Sequence, residues 1–147
     1  MLSIRKVEEK DIQLLFEWAN DPMVRKNSLN SNKISWEEHV KWFRSKLNDG
    51  NSYFYMVVNT QGELTAFVRF EKKDRWFAGI VVAPKSQGRG IGKDALGRSI
   101  DEFFKCVREP IYAQIKRSNV ASIKVFEYND FSKVDDGDVL LYRRDFQ

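Results

Sequence analysis

The residues best suited to chemistry stand in one short run, Gln87-Gly88-Arg89-Gly90-Ile91-Gly92-Lys93. Glycine lets a main chain approach a ligand closely and adopt conformations closed to other residues. The run follows an apolar stretch, Ile80-Val81-Val82-Ala83-Pro84. It precedes a pattern in which Leu96, Ile100, Phe103, Phe104 and Val107 fall on one helical face. A strand, a glycine-rich turn and a helix together aim several backbone N–H groups at a phosphate, because the first turn of a helix has unpaired donors and a partial positive charge. Two phosphate motifs do not fit. A Walker loop needs glycine where Gln87 stands and Ser or Thr where Asp94 stands, and a dinucleotide turn opening at Gly88 needs glycine where Lys93 stands. A turn that merely redirects the chain is the alternative.

His39 is the only histidine. An unperturbed imidazole suits a general base near neutral pH. Trp36 and Phe43 stand three residues before and four after it, so a packed core histidine is the competing reading. Glu37 and Glu38 have capping and solvated-face explanations, and Asp135, Asp136 and Asp138 read as a turn. Cys106 is the only cysteine, which excludes an intrachain disulfide and a cysteine zinc cluster and reads as a mid-helix filler. No metal site is expected.

The elements around these residues follow from periodicity. Leu2 to Val7 alternates as a strand, and Ile12, Leu15, Phe16 and Ala19 form a helical face that ends before Pro22. Met23 to Arg25 reads as a short helical turn, and Asn27 to Lys33 as an irregular polar stretch. Ser35 with Glu38 predicts a capping box for a helix with Trp36, Val40, Phe43 and Leu47 inward. Tyr53 to Val58, Leu64 to Phe70 and Trp76 to Val82 predict an antiparallel meander, the first strand apolar on both faces. After the helix that follows the glycine turn come a strand at Ile111–Ile115, a helix from Ser118-Asn119 to about Asn129, a strand at Phe131–Val134, an acidic turn at Asp135-Asp136-Gly137 and a last strand at Val139–Tyr142.

The chain has 147 residues, enough for one domain with a real core, and carries a net charge of +4 with a pI near 9.2. That balance suits an anionic small-molecule ligand, and the scattered charges give no nucleic-acid patch. The charged opening MLSIRKVEEKD is not a signal peptide, and no apolar run approaches the ~20 residues of a membrane span. A cytoplasmic protein without membrane or nucleic-acid partners is expected. A homodimer is compatible with the chain.

Gln87, Gly90 and Gly92, placed after a V-x-P strand end, match Q/R-x-x-G-x-G/A, and Asn119-x-x-Ser122-x-x-x-Phe126-x-x-x-Asp130-Phe131 resembles N-x-x-A/S-x-x-x-Y-x-x-x-G-F, with Phe at the Tyr position and Asp at the Gly position. In both motifs, and in element order over residues 1–147, the chain resembles the GCN5-related N-acetyltransferases. The resemblance implies a single α/β (α+β) domain, with a mixed, mostly antiparallel sheet of six to seven strands and about four helices. It implies acetyl-coenzyme A as cosubstrate. Ile80, Val81 and Val82 would lie along the bound arm, at a strand that splays at a bulge. The N–H of Val82 or its neighbour would polarise the thioester carbonyl. Gln87, Gly88, Arg89, Gly90, Ile91, Gly92 and Lys93 would hold the diphosphate, with Asn119, Ser122 and Phe126 beside the pantetheine. Phe126 stands where the family often has a tyrosine acid, Tyr128 is a poor substitute, and Trp76 to Ile80 lacks the family's frequent glutamate base.

Phe16 to Ser28 and Ile34 to Phe43 resemble the acetyltransferases of nucleotide-linked 4-amino sugars in pseudaminic acid biosynthesis. That resemblance implies a UDP-linked amino sugar as acceptor, lined by Arg25, Asn27, Ser28 and His39, with Arg25 toward the diphosphate. Ribosomal-protein N-terminal acetyltransferases share part of this pattern and imply a peptide acceptor instead. A non-catalytic acyl-CoA-binding or RNA-binding module on the same fold is the alternative from another class.

Overall fold

The computed structural model describes residues 1–147. Seven strands form one sheet in the order β1-β2-β3-β4-β5-β7-β6: β1 Ser3–Lys6, β2 Ser52–Val58, β3 Leu64–Lys72, β4 Trp76–Val82, β5 Ile111–Lys116, β6 Ser132–Asp136 and β7 Val139–Arg144. Five helices flank it: α1 Ile12–Ala19, α2 Pro22–Asn27, α3 Trp36–Leu47, α4 Ile91–Cys106 and α5 Val120–Tyr128. All pairings are antiparallel except β4 with β5. The mixed, mostly antiparallel sheet is therefore as expected, with one helix more. The turn at Met23–Arg25 is a full helix because Asp21 accepts from the N–H of Met23 and Val24 and Pro22 occupies its first turn.

The period-two alternation of β3 and β4 sorts side chains onto two cores. Val68 and Phe70 pack beneath α4 and α5 with Leu96, Ile100, Phe103 and Phe126, and Phe70 stacks on Phe103 at 4.4 Å. Phe54, Met56 and Phe67 face α1 and α3 with Leu15, Trp18 and Phe43. Burying each such aromatic contributes about 2–3 kcal/mol. β2 is buried on both faces, as its composition predicts. In α3 the inward residues are His39 and Phe43, and Trp36 is 42% exposed instead of inward. Ser35 caps this helix through the Glu38 N–H. Cys106 is the exposed last residue of α4, not a mid-helix filler. β6 runs on through Asp136, so the hairpin turn begins two residues later than the acidic cluster suggested.

One ion pair ties the first strand to the first helix. Arg5 donates to both oxygens of Asp11, at 2.9 and 2.8 Å, and the Glu8 N–H donates to the same carboxylate at 2.8 Å. Burial pushes the Asp11 pKa up, but the Arg5 and Glu8 donors outweigh it, and the net shift is downward. A depressed carboxylate pKa adds stability above its unfolded value of about 4, lost as pH falls through the folded value. Asp11→Ala should cost roughly 2–3 kcal/mol in urea unfolding at pH 7, and much less below pH 3.

Candidate functional site

Where β4 meets β5 the sheet opens. The two strands pair only at Trp76–Ile111 and Phe77–Tyr112. Beyond that point Ala78 to Val82 border a cleft of about 710 Å³ whose opposite wall includes Gln114 and Ile115 of β5. The expected bulge is not what splays the strand: β3 and β4 stay in register from Lys72–Trp76 to Ala66–Val82. The divergence lies wholly on the β5 side.

This opening leaves backbone groups unpaired in an ordered way. Ala83 donates to the Thr65 carbonyl, so in the β3–β4 ladder Val81 and Gly79 also use their main-chain groups toward β3. Ile80 and Val82, of opposite parity, point theirs into the cleft. The Val82 carbonyl accepts from the Gln87 side chain at 3.2 Å, which ties the glycine turn to the strand. Two inward N–H groups, of Ile80 and Val82, remain to meet a ligand. Val81 contributes only wall, because its N–H belongs to the ladder.

The glycine turn lies at one end. Gly88 and Gly90 have φ of 78° and 74°, in the left-handed region, and a Cβ on either would meet no protein atom within 4 Å. Gly90 starts α4 with no side-chain cap, so the first N–H groups of that helix are left for a ligand. Gly92 serves a second purpose: a Cβ there would stand 3.0 Å from Val125 and 3.7 Å from Val82, so glycine lets α4 close onto α5 and β4. Gln87, Gly88, Gly90, Ile91, Gly92 and Lys93 line the cleft. Arg89 is exposed and does not line it. The Lys93 ammonium sits 5.0 Å over the Tyr128 ring, and Tyr128 itself is 66% exposed and off the cleft. Asn119 and Ser122 border the cleft while capping α5: the Asn119 side chain accepts from the Ser122 N–H at 3.2 Å and donates to its hydroxyl at 3.0 Å. Phe126 is buried against Phe131 and forms part of the cleft floor, with no proton to give.

The other end, on the α1–α3 face, is walled by α2 and the segment after it. Arg25, Asn27 and Ser28 reach this end. Four of the five N–H donors of Arg25 are committed within the protein. It donates to the carbonyls of Ala19 (2.6 Å), Asn30 (2.9 Å) and Asn32 (3.1 Å) and to the Ser28 hydroxyl (3.0 Å). Ser28 in turn donates to the Val24 carbonyl. Asn20 clamps the far end of the segment by exchanging two hydrogen bonds with Ile34. These residues shape the wall.

His39 is absent from the cleft. It is 2% exposed, surrounded by Phe16, Trp36, Trp42 and Phe43, and its Nε2 lies 2.8 Å from the Ile12 carbonyl. A carbonyl only accepts, so Nε2 carries the proton and donates. The catalytic and acceptor-lining reading of His39 is corrected to a structural one: it joins α3 to α1. Burial lowers its pKa despite the opposing bond to Ile12. A histidine held neutral in the fold adds stability above its unfolded pKa of about 6.5, lost as pH falls toward the folded value. His39→Ala should therefore cost about 2–4 kcal/mol at pH 7.5, with steady-state KM for the acceptor unchanged in the folded fraction.

Among the cleft residues outside the sequence reading, Arg69 and Glu71 form an ion pair. Arg69 of β3 stands opposite Gly79 of β4, and Glu71 orients its guanidinium through a 3.0 Å bond to Nε. Both line the cleft. The available signal was Gly79 itself, since glycine inside a strand marks a close approach.

The comparisons with known proteins agree with this geometry. The family described as an acetyltransferase (GNAT) domain matches residues 1–132. An uncharacterized protein of Methanocaldococcus jannaschii is 25% identical over 91% of this chain, which spans only 28% of that protein's length. The L-methionine sulfoximine/L-methionine sulfone acetyltransferase of Salmonella typhimurium is 26% identical over 84% of this chain and 76% of its own. Acetyltransferase PseH of Campylobacter jejuni is 21% identical over 93% and 87%. Among solved structures, a domain from M. jannaschii superposes with a TM-score of 0.85 at 21% identity, covering 99% of both chains. Spermidine N-acetyltransferase from Vibrio cholerae, in complex with CoA and spermine, gives 0.82 at 17%, covering 97% of this chain and 92% of that one. With the family matched over most of its length and the sheet split at the glycine turn, the chain belongs to the GNAT acetyltransferase family.

Proposed function

We propose that the protein is an acetyl-CoA-dependent N-acetyltransferase acting on a small anionic amine. The observation that carries this is the split between β4 and β5, which places two unpaired strand N–H groups between an uncapped helix start and a cation-lined recess. Acetyl-CoA supplies the activated acetyl group. The turn from Gly88 to Lys93 and the first N–H groups of α4 would hold its diphosphate, and Asn119 has an N–H left to meet the pantetheine. Ile80, adjacent to the Arg69 end of the cleft, is the better placed of the two donors for the thioester carbonyl, with Val82 nearer the glycine turn. An N–H fixed by the strand needs no reorganisation as charge develops on that oxygen.

The transfer forms a nitrogen–carbon bond and breaks the carbon–sulfur bond, and the thiolate departs. Phe126 cannot protonate it, and a thiol pKa of about 8.5 makes an unassisted departure tolerable. The nitrogen releases its proton to water, since Glu71 is held as an ion pair by Arg69 and Lys46, at 3.0 and 3.1 Å. Catalysis then rests on positioning and carbonyl polarisation.

A UDP-linked 4-amino sugar is one acceptor class. The PseH relative and the resemblance of residues 16–43 support it. Free amino acids are the other, supported by the Salmonella relative's named substrates. Thiol release measured side by side with a UDP-4-amino sugar, the free amino sugar, L-amino acids and N-terminal peptides tests the proposal. Acceleration by an anionic small amine supports it. Acceleration by peptides alone, or by no amine at all, overturns it.

A further inference from the structure

We infer that Arg69 and Gly79 form the acceptor-recognition device, and that it selects a carboxylate placed next to the reacting amine, as in an α-amino acid. This rests on the acetyltransferase reading and names the substrate class of that same cleft.

Arg69 lies across the one strand residue without a side chain. A Cβ on Gly79 would stand 2.7 Å from its Cζ and 2.8 and 2.9 Å from its two terminal nitrogens, so the guanidinium rests flat on the Gly79 backbone. Glu71 takes Nε, and neither terminal nitrogen has a protein partner. A planar fork fixed at its base and open at its tip is the arrangement that binds an oxyanion through two parallel bonds. The side chain is 37% exposed, which leaves that tip accessible from the cleft.

The local charge is not balanced within the protein. Glu71 is shared between Arg69 and Lys46, and Arg25 stands close enough that Arg69 further lowers its pKa, after burial. One carboxylate shared by two cations, with Arg25 near Arg69, leaves a recess that favours an anion.

Position decides which anion. Gly79 is bonded directly to Ile80, so the guanidinium lies within about 6 Å of the inward Ile80 N–H. An amine attacking a carbonyl held at Ile80 must therefore carry its anionic group close by. In an α-amino acid the carboxylate carbon is two bonds from the nitrogen. In a nucleotide-linked 4-amino sugar the diphosphate lies on the far side of the ring. The shared chemistry is a forked oxyanion, and the short span selects the carboxylate.

The test compares an L-α-amino acid, its carboxamide and a UDP-4-amino sugar as acceptors for wild type, Arg69→Ala and Gly79→Ala, with acetyl-CoA affinity measured by calorimetry on each. Alanine at 79 displaces only the flexible end of Arg69, so the strand stays folded. For wild type, the amino acid should have a KM about 10- to 100-fold below that of its carboxamide. Both variants should lose that preference through the KM of the amino acid, so that acid and carboxamide are used alike, while acetyl-CoA affinity is retained. Equal use of acid and carboxamide by wild type, or a preference for the UDP sugar, overturns the inference and leaves the acetyltransferase reading standing. Absence of acetyl-CoA binding overturns both.

Discussion

Gly90→Val should lower acetyl-CoA affinity at least ~100-fold while leaving the protein folded. The φ of 74° at Gly90 is a left-handed conformation that costs an ordinary residue about 1–2 kcal/mol, and more for a β-branched one. Nothing in the protein opposes a side chain there, since a Cβ finds no atom within 4 Å. The side chain instead occupies the space that a diphosphate needs to approach the uncapped start of α4. If valine twists φ back toward negative values, the first N–H groups of the helix turn away and the anion site is lost by that route. Calorimetry with acetyl-CoA reads the loss of affinity, and thermal unfolding separates it from loss of fold. Parent-like binding would remove the turn from the site.

Ile80→Pro should reduce kcat about 10²- to 10³-fold with a far smaller change in acetyl-CoA affinity, the magnitude expected for removal of one carbonyl-polarising donor. Proline deletes the N–H, and in most strand positions that would also break a ladder bond. Ile80 escapes this cost because its N–H faces the split and the neighbouring Gly79 and Val81 make the bonds to β3. Val82→Pro is the matched control: its N–H also points inward but lies beside the glycine turn. It should weaken acetyl-CoA binding more than it slows transfer. The reverse ranking would move carbonyl polarisation from Ile80 to Val82.

The strands and helices were legible because their signals are local. Alternation in β3, heptad-like spacing in α4 and the glycine run each report on a few adjacent residues. The order of β7 inside β6 was not legible, since both hairpin strands carry weak patterns and pairing is decided by which edge β5 offers. The Phe16–Ser28 stretch was legible as a unit but not in its role. Asn20, Asp21, Arg25 and Ser28 spend most of their polar groups holding α2 and the following loop in place, so the segment serves largely as the frame of the cleft wall. His39 misled for a related reason: ring spacing on α3 shows which residues adjoin it, but not that the Ile12 carbonyl comes within 2.8 Å. Arg69 went unseen because its meaning depends on a cross-strand neighbour, Gly79, that is ten residues away in sequence.

The most direct measurement is an amide-resolved NMR titration of the protein with acetyl-CoA. Saturable shifts are predicted at Ile80 and Val82, at Gly88 and from Gly90 to Lys93, with the β6–β7 hairpin and His39 unmoved. Saturation without shifts at Ile80 and Val82, or shifts centred on the Tyr128–Arg144 side of α4, would contradict a cosubstrate site in the split between β4 and β5.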